Sequence, residues 1–192
     1  MSGSKAWWAL LAAVCFGLAG CSSTPVRFYS LDGVTPARAD AHSEISVVVA
    51  QVGIPPRVDR RQLVLGVGEV KIAELEQWVA PLREEIGHAV ALNLSHLLGA
   101  EQVAAWPQNL VADAALSVHL DVARFDSQPG VGAMDEISWS VRDRQGKPLA
   151  SGRKNYQSVP ANVSLAALVA AHNQNLAAVA EDIAQAVVAL KQ

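Results

Sequence analysis

The chain has 192 residues, 51% of them hydrophobic, with 15 Lys and Arg against 18 Asp and Glu and a formal net charge of −3. That is enough for one compact domain with its own core, and the acidic balance argues against a nucleic-acid footprint or a polybasic membrane patch. The two cysteines, Cys15 and Cys21, both lie near the N-terminus, so the body of the chain has no thiolate metal site and no disulfide framework.

Lys5 gives a weakly basic start, and Ala6 to Ala19 is almost wholly apolar. About 14 apolar residues fall short of the ~20 that span a bilayer and match the h-region of a signal peptide. The run ends at Leu18-Ala19-Gly20-Cys21 and is followed by Ser22-Ser23-Thr24-Pro25. This step resembles a bacterial lipoprotein signal. The resemblance implies cleavage before Cys21, a diacylglycerol on its thiol and an N-acyl chain on its new amine. Residues 1–20 are then the signal peptide, 21–25 the lipidated N-terminus and tether, and 26–191 the folded domain. By likeness to lipoprotein sorting signals, Ser22 in place of Asp implies the periplasmic face of the outer membrane.

Val26 to Leu31 reads as a short strand, Asp32-Gly33 as a turn and Thr35 to Ser43 as an exposed loop. Ile45 to Val52 is the clearest strand, stopped by Pro55-Pro56. Gln62 to Leu65 and Glu69 to Ile72 are short strands bent at Gly66-Val67-Gly68. Helical spacing of Leu82, Ile86, Ala89, Val90, Asn93, Leu94 and Leu97 predicts a helix over Trp78 to Leu98, with Pro81 in its first turn and Gly99 as its C-cap.

Glu101 to Trp106 is a short strand. Leu116 to Val122 alternates strictly, and the alternation breaks at Ala123-Arg124-Phe125, as at a bulge. Ile137, Trp139 and Val141 mark a further strand, joined by a turn at Asp143 to Lys147 to one over Leu149 to Ser158. Ser164 caps a last long helix, whose apolar stripe runs from Leu165 through His172 to Leu190. The expected fold is α+β: a mainly antiparallel sheet with two long helices packed on one face, preceded by a lipoprotein signal peptide.

No catalytic constellation emerges. His119 and Asp121 share a strand face, but two ligands do not make a metal site. His172 reads as a boundary histidine, and Asp121, Asp126, Asp135 and Glu136 as scattered acids. Trp78 and Trp139 suit packing better than ligand platforms. Gly66-Val67-Gly68 lacks the third glycine and the helix of a dinucleotide loop. Neither a cofactor nor a metal is expected, and Cys21 is the one residue assigned a chemical role.

Four stretches carry a family resemblance across nearly all of the chain after Cys21: Phe28-Tyr29-Ser30-Leu31; Val52-Gly53-Ile54-Pro55 through Gln62-Leu63-Val64; Trp78-Val79-Ala80-Pro81-Leu82 to Leu98; and Val122 to Asp126 with Pro129-Gly130, Trp139 and the last helix. Together they resemble the ABC-type transport auxiliary lipoproteins, the group that includes the lipoproteins of paraquat-inducible MCE transport systems. A departure is Arg60-Arg61-Gln62, where the family often shows Arg-Pro-Gln. The resemblance implies a non-enzymatic component of an intermembrane lipid-transport system. Its partners would be a periplasmic MCE-domain protein with its permease, and a homo-oligomer would match a ringed MCE assembly. The alternative is a lipoprotein regulator or scaffold of a periplasmic cell-wall enzyme, which calls for a longer disordered linker than this chain has.

Overall fold

The computed structural model describes residues 24–38, 43–108, 111 and 113–190; Cys21 and His42 lie outside the described residues. Strands β1 (Arg27–Tyr29), β2 (Val47–Gly53), β3 (Gln62–Leu65) and β4 (Lys71–Trp78) precede helix α1 (Leu82–Leu98). Then come β5 (Val103–Ala105), β6 (Leu116–Gln128), β7 (Gly132–Arg142), β8 (Pro148–Ser158) and helix α2 (Leu165–Ala189).

The fold is α+β, as expected. Its main sheet has the order β5-β2-β6-β7-β8. β6, β7 and β8 form an antiparallel meander, whereas β2 runs parallel to both β5 and β6. That sheet is therefore mixed, because the crossovers that carry the chain from β2 to β5 and β6 bring it back in the same direction. A second sheet, β1-β4-β3, pairs β1 parallel and β3 antiparallel to β4.

Both helices cover one face of the main sheet. Gly87 of α1 sits where a Cβ would touch Val49, Val52 and Ala105. Val47, Val49, Val118, Leu120, Ile137 and Val141 meet Ile86, Val90, Leu94, Leu176, Val179 and Ile183 in one buried cluster. Each such side chain contributes ~1.5–3 kcal/mol on removal from water.

Helix α1 begins at Leu82, later than its apolar spacing suggested. Trp78 is claimed by β4, where it pairs with Tyr29. Pro81 has φ −53° and ψ 130°, so it caps rather than continues the helix, and its carbonyl accepts the Glu84 and Glu85 N–H groups. Gly99 ends α1 in the left-handed conformation at φ 57°. Ser164 caps α2 by accepting the Ala167 N–H at 3.1 Å.

Residues 30–38 form a strap across the helix layer. Glu85 accepts the Leu31 N–H, Asn173 the Asp32 N–H, and Asn93 the N–H groups of both Val34 and Thr35. His96 Nδ1 lies 2.7 Å from the Thr35 carbonyl. Pro36 to Arg38 are exposed and irregular, as expected of a loop, and Thr35 and Arg38 are tied to α1 through Asn93 and His96. Gly33 makes no turn; it is there because a Cβ would fall 2.7 Å from Leu92 Cβ.

Candidate functional site

The bulge in β6 decides which residues enter the core. The register shifts between Val122 and Arg124. Before it, Leu116, Val118, Leu120 and Val122 face the helices; after it, Phe125 and Ser127 do. A regular strand would have sent Arg124 and Asp126 inward. Instead Asp126 lies on the other side, covered by Arg57 and Arg124, each within 2.7 Å of its carboxylate.

Phe125 and Ser127 stand opposite Asp135 and Ala133 of β7. Helix α2 lays His172 and Asn175, three residues apart, over them. His172 Nδ1 lies 2.9 Å from Asp135 Oδ1, and its Nε2 lies 2.9 Å from Ser127 Oγ. Asn175 donates to Asp135 Oδ2 at 2.8 Å and to the Ala133 carbonyl, and accepts from Ser158 at 2.7 Å. The Phe125 ring stacks on the imidazole, with centroids 3.9 Å apart and planes 8° from parallel, and meets Trp78 edge-on. Asp135 is 0% exposed and His172 is 1% exposed.

Sequence reasoning placed His172 at a boundary and Asp135 among scattered acids; both are fully interior. The signal that could have found them is the broken alternation in β6, which turns Ser127 inward beneath polar residues on the inner face of α2. Ser127, His172 and Asp135 have the connectivity of a nucleophile, a base and an orienting acid. What they lack is an approach for a substrate. Ser127 is buried, and one face of the imidazole is covered by Phe125. Among the described residues every buried side-chain polar atom has a hydrogen-bond partner. The arrangement is a closed polar tie between the sheet and α2.

The open face of the main sheet carries a shallow depression lined by Gln51, His119, Asp121, Ser138, Ser140 and Arg142. Burial and the nearby Arg142 guanidinium push the His119 imidazole below its ordinary pKa. No group of three His, Cys, Asp or Glu among the described residues could hold a metal ion. Trp78 and Trp139 are packing residues. Trp78 is buried against Phe125, and Trp139 lies against Gly152, where a Cβ would fall 2.7 Å from its ring. Gly66 and Gly68 take positive φ in the hairpin between β3 and β4.

Near the N-terminus, Arg27 and Tyr29 both bond the Glu76 carboxylate. The Arg27 hydrogen bond holds Glu76 below the usual carboxylate range against the opposing effect of burial. Burial raises the Glu85 carboxyl, and the Leu31 N–H only partly offsets it. No helix among the described residues is long and apolar enough to cross a membrane.

Residues 29–184 match the family model described as the ABC-type transport auxiliary lipoprotein component. No curated relative matches the chain. Two crystal structures share the fold. One, of an uncharacterised protein, is 18% identical with a TM-score of 0.68 over 85% of this chain and 99% of that one. The other, of a protein from Xanthomonas campestris, is 19% identical with a TM-score of 0.63 over 81% of this chain and 91% of that one.

Proposed function

The chain belongs to the family of ABC-type transport auxiliary lipoprotein components, and from that premise we propose that it is an outer-membrane-anchored, non-enzymatic docking component of an MCE-type intermembrane lipid-transport system. Cys21 carries the acyl chains, and the domain stands on the periplasmic face. The observation that carries the reading is the family match over residues 29–184. Two features support it. The sequence around Cys21 has the form of a lipoprotein signal, and the Ser127–His172–Asp135 tie is closed to substrate. The binding of residues 30–38 to α1 and α2 leaves little chain for a long reach through the cell wall, which disfavours the regulator reading.

In this role the domain receives the periplasmic MCE assembly and holds its exit beside the outer membrane. A homo-oligomer of the domain would match a ringed partner. Photo-crosslinking in intact cells followed by purification of the lipoprotein should recover an MCE-domain protein. Repeated recovery of cell-wall enzymes with no MCE protein would overturn the reading in favour of the regulator. Cys21→Ala should release the chain from the membrane fraction and abolish its function in the envelope while leaving the fold intact. A Cys21→Ala chain that stays in the outer membrane and works would remove the anchor from the model.

A further inference from the structure

The small sheet has two faces of different character. Its β1–β4 register pairs Arg27 with Glu76, Phe28 with Gln77 and Tyr29 with Trp78. The Val79 N–H continues the ladder to the Tyr29 carbonyl. Alternation therefore puts Tyr29, Glu76 and Trp78 on one face and Phe28, Gln77 and Val79 on the other, while Val26 and the exposed Leu75, at the register break of β4 against β3, border the second. The first face is occupied: Trp78 meets Phe125, and Glu76 is held by Arg27 and Tyr29. The second is apolar and open, with Val26 39%, Phe28 58%, Leu75 41% and Val79 54% exposed. Four large apolar side chains on one small sheet, at the edge where β1 ends the strand order, are a patch and not scattered exposure.

We propose that this face seats on the bilayer that holds Cys21, with Val26, Phe28, Leu75 and Val79 in the interfacial zone. The inference rests on the acylation of Cys21 proposed above. The length of chain carries it. Val26 stands five positions after Cys21, and at ~3.3–3.6 Å per residue that stretch reaches at most ~18 Å. A tether this short keeps β1 at the membrane surface at a high effective concentration, so a modest apolar contact suffices to orient the domain. Interfacial side chains need enter only ~5–10 Å, to the boundary of headgroups and acyl chains.

The surrounding charge fits phospholipid headgroups. Arg60 and Arg61 are exposed and form no ion pair among the described residues. The Arg61 carbonyl accepts the Trp78 N–H, which puts the pair beside the end of β4. The bordering Glu74 is engaged by Gln62. Seated this way, the domain has a fixed orientation and does not tumble on its anchor.

The test uses the full-length acylated protein in vesicles of phosphatidylethanolamine and phosphatidylglycerol. With Cys15 lost in the leader and the Cys21 thiol acylated, a new cysteine is the sole free thiol for a nitroxide label. Phe28→Cys and Leu75→Cys report on the face, and Ser138→Cys on the open sheet face is the control. Seating predicts that labels at 28 and 75 gain collisions with oxygen and lose them with a water-soluble nickel chelate, while the label at 138 stays aqueous. Aqueous labels at all three positions, with acyl chains present by intact mass, would overturn the seating and leave the anchor standing. Dipolar broadening at 28 or 75 between copies would overturn it in favour of a second chain on that face. A mature chain without acyl mass would remove the anchor and the seating together.

Discussion

Glu85 Oε2 accepts the Leu31 N–H at 2.7 Å from within the packed helix layer. Burial raises this carboxyl above its ordinary pKa. A raised folded-state pKa gives stability that is full below the unfolded value and is lost as pH rises through the folded one. Glu85→Gln keeps an acceptor for Leu31 and removes the buried charge. The wild-type chain should therefore lose stability relative to Glu85→Gln between weakly acidic and neutral pH. Urea melts of both chains across that range check the sign; a wild-type chain that gains on the variant as pH rises would refute it.

Asn93 fixes the strap by accepting two N–H groups while donating to the Ala89 carbonyl at 2.8 Å. Asn93→Ala should cost about 1–3 kcal/mol, the range for leaving buried partners unmatched. Gly33→Ala should cost about 1–3 kcal/mol by overpacking against Leu92. Both variants should be cut faster by a protease within residues 30–38 than elsewhere. Unchanged cleavage there would mean the strap is not held by these contacts.

His172 is the hub of the interior tie. His172→Ala leaves the buried Asp135 carboxyl without its imidazole partner and opens a cavity against Phe125, and should cost about 2–5 kcal/mol. Ser127→Ala removes one hydrogen bond to the imidazole and should cost about 1 kcal/mol. Neither the wild-type chain nor Ser127→Ala should hydrolyse an activated ester above background. Turnover by the wild type that disappears in Ser127→Ala would show that substrate reaches the triad after all.

Gly152 gives Trp139 its room. Gly152→Val places side-chain atoms where the indole lies and should destabilise the chain by about 1–3 kcal/mol. Near-ultraviolet dichroism should lose intensity as the indole is displaced. A variant with native spectrum and stability would show that the β7–β8 pair yields there.

Much of this architecture follows from local pattern. The β-branched run at Val47–Val49, the caps Ser164 and Gly99, and the break after Val122 each signal their element through short-range chemistry. β4 does not. Lys71 to Trp78 contains Ala73, Glu74, Glu76 and Gln77, poor strand formers that are held extended by β1 and β3 on either side. The parallel setting of β2 depends on partners more than 50 positions away, which no local period records. The interior tie joins β6, β7, β8 and α2, so its polar residues look solvent-facing until the register of the sheet is known.

The place of β2 also sets a sequence of events in time. Its parallel partners lie downstream, with Val47 opposite Val103 on one side and Leu116 on the other. A chain emerging from its N-terminus therefore carries β2 as an unpaired apolar strand until β5 and β6 appear. The β6–β7–β8 meander closes from near neighbours, and contacts of short separation form first. Pulse-labelled hydrogen exchange during refolding should find amides of β6, β7 and β8 protected before those of β2; protection of β2 first would reverse the order. Assembly then does not follow chain order: β2 docks onto a meander built from residues that come after it.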